Sequence, residues 1–361
     1  MRKNQKSSGD MKFEQYLRKA ETISLAGHEI LIWGAGNTAE LNKGVIFEEG
    51  LCPDFFVDSD PAKQGSRLWD IEIIAPDDIK KHCENPLVFI CSVQPKVCRA
   101  VKMQLMEMGI VTYHMLDEVV WGRHRKELMT VYQLLETDES KEYFASVIVS
   151  RIKGEEVSKI NRKDMAYFGM EQFGTGNAEE IFVDCGAFEG DTVEQYVDVK
   201  KAVFKEIYAF EPDQRNWEAM QKRIGVLTQK WNLAQSRIHL LKGAAGKQDG
   251  SMRLFGNIDQ EAVKVREDGE GETVPVYALD SVLKDKNIGF IKADIEGCEM
   301  DMIEGAAGCI RRCRPLLAIC IYHQSSDLYK IPAAIKELNS DYKMEIVHYG
   351  DLYTDTILYA Y

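Results

Sequence analysis

Ile181-Phe182-Val183-Asp184-Cys185-Gly186-Ala187-Phe188-Glu189-Gly190-Asp191-Thr192 carries an apolar run into an acid, two glycines and the start of an amphipathic pattern. Such a run reads as a buried strand that turns tightly into a helix. In open α/β sheets, ligands bind outside the carboxyl ends of the strands, and this is the first such end in its half of the chain. Gly186 and Gly190 let backbone approach a ligand closely, and the helix that follows offers its N-terminal amides to an anionic group. A tight turn that holds nothing is the alternative for these glycines taken alone.

Working outward, the next strand ends in Phe210-Glu211-Pro212-Asp213, with Glu211 27 residues after Asp184. An acid at that place accepts hydrogen bonds from both hydroxyls of a ribose. Nicotinamide cofactors use the same position, so Glu211 does not distinguish hydride from methyl transfer. The first loop does: Asp184-x-Gly186-x-x-x-Gly190 departs from G-x-G-x-x-G, and an acid at the strand end repels a pyrophosphate but suits the amino group of a methionine moiety. The sequence thus points to S-adenosylmethionine, with Asp184, Gly186, Ala187, Gly190, Asp191, Thr192, Glu211 and Ala244 as its expected contacts.

Further strands are expected at 238–241, 290–293, 316–321, 344–348 and 356–361, the last two too close for a crossover helix and so antiparallel. Seven strands with such a final pair is a class I methyltransferase arrangement. Phe290-Ile291-Lys292-Ala293-Asp294-Ile295-Glu296-Gly297 places two carboxylates on one turn at a central strand end. Asp294, His323 and, less directly, Glu296 are the candidates for taking a proton from an acceptor. The alternatives are a helix cap for Asp294 and a hydrogen bond to loop backbone for His323. Residues 251–278 read as a β-hairpin insertion with a polar tip at 267–272.

The segment from about residue 180 to 361 resembles the FkbM family of methyltransferases. The residues that carry the likeness are Val183-Asp184-Cys185-Gly186-Ala187 with Gly190-Asp191-Thr192, Tyr208-Ala209-Phe210-Glu211-Pro212-Asp213, Ala278-Leu279-Asp280-Ser281, Ile291-Lys292-Ala293-Asp294-Ile295-Glu296-Gly297 with Glu299, and Arg314-Pro315. The resemblance implies a Rossmann-type methyltransferase fold, S-adenosylmethionine as donor, and O-methylation of a hydroxyl on a sugar, glycan or secondary metabolite. Phe188-Glu189 stands where Asn is frequent after Gly-Ala in that family, which bears on acceptor contacts.

Ahead of it, Glu29-Ile30-Leu31-Ile32-Trp33 runs into Gly34-Ala35-Gly36-Asn37-Thr38-Ala39, and Asp58 closes a second strand 22 residues after Gly36. That fits a dinucleotide fingerprint. With a third strand at 87–91, a helix at 96–108 and Gly109 as its cap, residues 25–120 are expected to form a small doubly wound Rossmann-like domain. Residues 121–175 read as a helical connector, and 176–361 as the methyltransferase domain. Gly34, Gly36 and Asp58 are a possible second site, for a nucleotide-sugar, and a scaffold that binds nothing is the alternative. Two rival functions follow: an NAD(P)-dependent oxidoreductase using this loop, or a non-catalytic nucleotide-sugar-binding protein.

Across the chain, 361 residues are more than one core usually organises. The formal net charge of −13 argues against a nucleic-acid partner. Nine cysteines without a C-x-x-C pair, no apolar run after residues 1–10, and no apolar stretch of membrane-spanning length read as a cytoplasmic chain without membrane insertion. No spacing of residues stands out as a metal site.

Overall fold

The computed structural model describes residues 8–157, 165–255, 264–266, 271–350 and 352–361. It divides into two compact units, one made of Met1–Arg162, Tyr322–Tyr329 and Ile346–Thr356, the other of Lys163–Ile321, Lys330–Glu345 and Ile357–Tyr361. The helices between residues 116 and 153, read from the sequence as a connector, group with the first unit.

The first unit is built on β1 (Glu29–Trp33), β2 (Phe55–Val57), β3 (Arg67–Leu68), β4 (Ile71–Ile74), β5 (Pro86–Ile90) and β6 (Tyr113–Met115), in the order β3-β4-β2-β1-β5-β6. All neighbours are parallel except β3 and β4, a hairpin that turns on Trp69 and Asp70 with φ of 53° and 63°. That hairpin and β6 escaped the sequence reading because strands of two to four residues are too short to show a clear periodicity. The helix Pro95–Glu107 buries Cys98, Val101 and Leu105, one face at helical spacing, and Gly109 beyond it takes φ of 69°. Between β1 and β2 the short helices Asn37–Leu41 and Lys43–Glu48 meet at Asn42, which is buried and accepts hydrogen bonds from the Ser325 amide and hydroxyl at 2.8 and 2.9 Å. Ser325 also donates to Asp117, whose carboxylate grips the buried Arg151 guanidinium at 2.8 and 3.0 Å.

The second unit is organised by β7 (Ile181–Cys185), β8 (Glu206–Glu211), β9 (Ile238–Lys242), β10 (Ala244–Ala245), β11 (Gly250–Phe255), β12 (Lys264–Arg266), β13 (Glu272–Tyr277), β14 (Phe290–Ala293), β15 (Leu316–Cys320), β16 (Met344–His348) and β17 (Thr356–Ala360). Seven of them form one sheet in the order β16-β17-β15-β14-β7-β8-β9. β14 pairs in parallel with both β7 and β15, while β17 runs antiparallel to β15. Reciprocal backbone hydrogen bonds between Lys343 and Tyr361 tie the last two strands together. This is a mixed α/β, Rossmann-like methyltransferase sheet, and its strands fall within a residue or two of those read from the sequence. The strands are buried on both faces, so they read as continuous apolar runs. Phe168, Phe173, Phe182, Tyr196 and Phe290 pack ring against ring at centroid distances of 4.3 to 6.4 Å.

The insertion read at 251–278 is a hairpin of β11 and β13, in a second sheet ordered β10-β13-β11-β12. Residues 267–270 of its expected polar tip lie outside the described residues. Among the described residues, no helix is long and apolar enough to cross a membrane.

Candidate active site

The carboxyl ends of β7, β8 and β14 converge on a cavity of about 370 Å³ in the second unit. Gly186, Asp191 and Thr192 reach it from the first strand end, Glu211 and Pro212 from the second, and Lys292, Asp294 and Glu296 from β14. Ala244 lines it too, with Ala245, Tyr167, Asn216 and Cys298. Parallel strands with adjacent carboxyl ends bring these distant segments together, since every crossover starts from the same edge of the sheet.

The first loop is shaped by contacts that only glycine permits. Gly186 has φ of 79°, and a Cβ there would stand 1.9 Å from the Asp294 carbonyl oxygen. Gly190, also left-handed at φ of 80°, is packed against Met220, which would lie 2.9 Å from a Cβ. Gly190 and Ala187 therefore shape the loop without lining the cavity. Phe188 is half-exposed on the cavity rim, with φ of 48°.

Glu211 is 5% exposed and accepts hydrogen bonds from the Phe188 amide at 2.9 Å and the Asp213 amide at 2.9 Å. Burial pushes its carboxyl up to about 7, although these two amides and Asn216 work to keep it charged. It is a nearly dehydrated acceptor on the cavity wall, the chemistry that a ribose diol needs.

Asp184 is placed differently from the sequence expectation. It is fully buried beneath the cavity and does not line it, its carboxylate lying 3.0 Å from the equally buried Lys292 ammonium. The parallel register sets Lys292 directly opposite Asp184 on the neighbouring strand. Burial raises the Asp184 carboxyl to about 6, with Lys292 opposing the rise. Burial disfavours the Lys292 charge, but the Asp184 and Asp294 carboxylates outweigh it and hold the ammonium above its usual range. Lys292 also donates to the Gly186 carbonyl at 2.7 Å, so the pair braces the glycine loop from below.

Asp294 lies on the cavity wall, and its Oδ2 accepts the Tyr167 hydroxyl at 2.9 Å. It does not cap a helix: the helix Glu299–Gly305 begins after Cys298, and the buried Glu299 accepts from the Ile295 amide at 2.9 Å. Glu296 lines the cavity with φ of 57°. His323 falls in the segment 322–329 of the first unit, buried, with its ring centroid 4.0 Å from that of Tyr322.

In the first unit, the glycine-rich loop is satisfied by its own surroundings. Asp58 accepts from the Ala35 amide at 2.9 Å and from Lys63 at 3.0 Å through one oxygen, and from the Asp60 amide at 2.9 Å through the other. Burial opposes its charge, but these donors prevail and hold the carboxyl below its usual range. Gly34, at φ of 119°, would place a Cβ 2.4 Å from the Cys91 carbonyl oxygen, so the glycine is required for packing. Gly36 precedes a helix of only five residues, Asn37–Leu41.

Lys292 and Tyr167 are among the cavity residues that carried no role in the sequence reading. Lys292 had a signal: a lysine inside an apolar strand needs a buried counter-charge, and Asp184 is the acid in the adjacent strand. Tyr167, fourteen residues ahead of β7, carried no local signal.

Residues 184–347 match the family model described as "Methyltransferase FkbM domain". No curated protein matches the chain. Among solved structures, a methyltransferase FkbM from Methylobacillus flagellatus KT is similar over 98% of this chain and 99% of its own, with 20% identity and a TM-score of 0.59. At that identity the likeness is one of fold. An rRNA methylase from Streptococcus thermophilus (15% identity, TM-score 0.31) covers 51% of this chain and 86% of its own. A SAM-dependent methyltransferase from Aquifex aeolicus (11% identity, TM-score 0.31) covers 53% and 85%, and both are too distant to carry an argument. Residues 184–347, somewhat under half of the chain, thus match an FkbM methyltransferase domain.

Proposed function

We propose that this methyltransferase uses S-adenosylmethionine and transfers the methyl group to a hydroxyl of a small molecule, a sugar, glycan or secondary metabolite, in the cytoplasm. The observation that carries the cofactor reading is the cavity at three adjacent strand ends, with Glu211 on one side and the glycine loop held by Lys292 on the other. The residues fit this donor: Gly186 lets the first loop lie directly against the Asp294 backbone, where a Cβ would clash, and a buried carboxylate at Glu211 can accept both hydroxyls of a ribose.

When bound, the cofactor supplies an electrophilic methyl group, and alignment in a closed cavity can account for roughly 7–11 kcal/mol of the barrier. Glu211 binds the ribose, Gly186, Asp191 and Thr192 present backbone and hydroxyl groups to the methionine end, and Ala244 leaves room beside the base. Asp294 takes the hydroxyl proton of the acceptor, with His323 and Glu296 as the other candidates for that step. The free thiols of the nine cysteines suit a reducing compartment. Among rival readings, the loop of Gly34, Gly36 and Asp58 gains no support for a nucleotide: the Lys63 ammonium pairs the Asp58 charge at 3.0 Å, whereas the donors to Glu211 are neutral amides.

A thermal-shift titration with S-adenosylmethionine, S-adenosylhomocysteine and NAD tests the proposal. Ligand at a hundred times its dissociation constant stabilises the fold by about 2.7 kcal/mol. A shift with the adenosyl compounds that Glu211→Ala abolishes is expected; a shift with NAD alone would move the active site to the first unit.

A further inference from the structure

Tyr167 reaches the cavity from the arm that precedes β7, outside every motif of the domain. That arm is anchored by aromatic packing. Phe168 lies against Phe182, Tyr196 and Phe290 at 6.1, 6.0 and 5.8 Å, and Phe173 against Phe290 and Tyr359 at 4.6 and 5.6 Å. Tyr167 itself takes φ of 66°, a region that a bulky residue enters only when its surroundings dictate it. Its amide donates to the Tyr359 hydroxyl at 2.9 Å, and the Lys292 ammonium stands 5.3 Å from the centre of its ring. Its hydroxyl donates to Asp294 Oδ2 at 2.9 Å and lies 3.6 Å from Cys320 Sγ.

We infer that Tyr167 is a positioning residue: held by the Tyr359 hydroxyl and the Lys292 ammonium, it fixes the Asp294 carboxylate on the cavity wall so that the site prefers a cationic sulfonium to a neutral thioether. The inference rests on the cofactor reading above. S-adenosylmethionine and S-adenosylhomocysteine differ by one methyl group and one positive charge. A carboxylate fixed in a partly dehydrated cavity favours the charged member, and one free to rotate toward water favours it less. The selectivity would keep spent cofactor from competing with fresh cofactor. The side chain acts through Asp294, so its contribution should vanish where Asp294 carries no charge.

The test is isothermal titration of the full chain with each compound separately, taking the ratio of the two dissociation constants. Tyr167→Phe keeps the ring against Lys292 and removes only the hydroxyl. It is expected to lower the preference for S-adenosylmethionine by roughly fivefold, the scale of one hydrogen bond to a charged group in a partly wet site. Asp294→Asn should lower it at least as far, and Tyr167→Phe in the Asp294→Asn background should lower it no further, the non-additivity of two residues acting as one. An unchanged ratio in either single variant, or a full further loss in the double variant, overturns the inference while leaving the cofactor reading intact. Failure of the unmodified chain to bind either compound overturns the cofactor reading and this inference together.

Discussion

Replacing Asp184 with Ala takes from the Lys292 ammonium its nearest counter-charge, at a place where 3% of the side chain is exposed, and leaves only the Asp294 carboxylate to favour it. Breaking a buried ion pair from one side costs about 3–5 kcal/mol, because the remaining charge is poorly hydrated and has lost its paired group. With a urea m-value of about 2 kcal/mol/M, the unfolding midpoint should fall by about 1.5–2.5 M. Lys292→Met strands the carboxylate instead, but a carboxylate has an escape: it can take a proton. Without Lys292 the folded-state value of Asp184 lies well above its unfolded value, so the folded state binds more protons between the two, and stability rises as pH falls through that window. Lys292→Met should therefore recover much of its loss between pH 7.5 and 5.5, and Asp184→Ala should not. The double replacement Asp184→Ala with Lys292→Met removes both charges and is expected to be closer to the unmodified chain than Asp184→Ala is. The assay is urea unfolding followed by circular dichroism at both pH values. A midpoint shift below about 0.5 M for Asp184→Ala, or a double variant as unstable as the single one, would refute the argument that a buried, mutually neutralising pair braces the glycine loop.

Burial raises Glu211 to about 7, while the ribose hydroxyls it is proposed to receive stabilise only its charged form. Binding of S-adenosylhomocysteine should then release protons and tighten as pH rises from 6 to 8, by at most about tenfold per unit; titration in two buffers of different ionisation enthalpy reads this, and zero proton release would count against Glu211 as the ribose acceptor. Glu211 also sets a slope in the ligand-free chain: its raised value contributes stability that is fully present below its usual 4.5 and lost as pH climbs through about 7. Gly186→Ala combines a left-handed backbone, worth about 1–2 kcal/mol against alanine, with a Cβ 1.9 Å from the Asp294 carbonyl; loss of adenosyl-ligand binding by calorimetry is expected, and retained affinity would show that the strand end yields. His323→Ala abolishes methyl transfer to an active hydroxyl acceptor only if His323, rather than Asp294, is the base, and turnover at the unmodified rate would remove His323 from the candidate bases.

The order of strands and helices, the antiparallel final pair and the glycine turn that follows β7 were legible in the sequence because they are encoded locally. Apolar runs of the right length become buried strands, glycines mark where backbone must turn left-handed, and an acid at a strand end such as Glu211 stays at a strand end wherever the strand lies. What no local pattern encodes is which side chain faces which. Asp184 and Glu211 look alike in sequence, each an acid closing an apolar run, yet one lines the cavity and the other is sealed beneath it. Only the register of β7 against β14 sets Lys292 opposite Asp184 and consumes its charge. Asp58 likewise matches a nucleotide-binding pattern, and Lys63 pairs its charge. Tyr167 is the extreme case, since its position depends on its neighbour Phe168 packing against Phe182 and on its own amide reaching the Tyr359 hydroxyl, 192 positions further along the chain. The sequence therefore determined the fold and the strand ends that carry the site, through short-range periodicity and turn chemistry. The tertiary structure decided which charges there remain available to a ligand, because burial and pairing are properties of neighbours that the chain brings together only when folded.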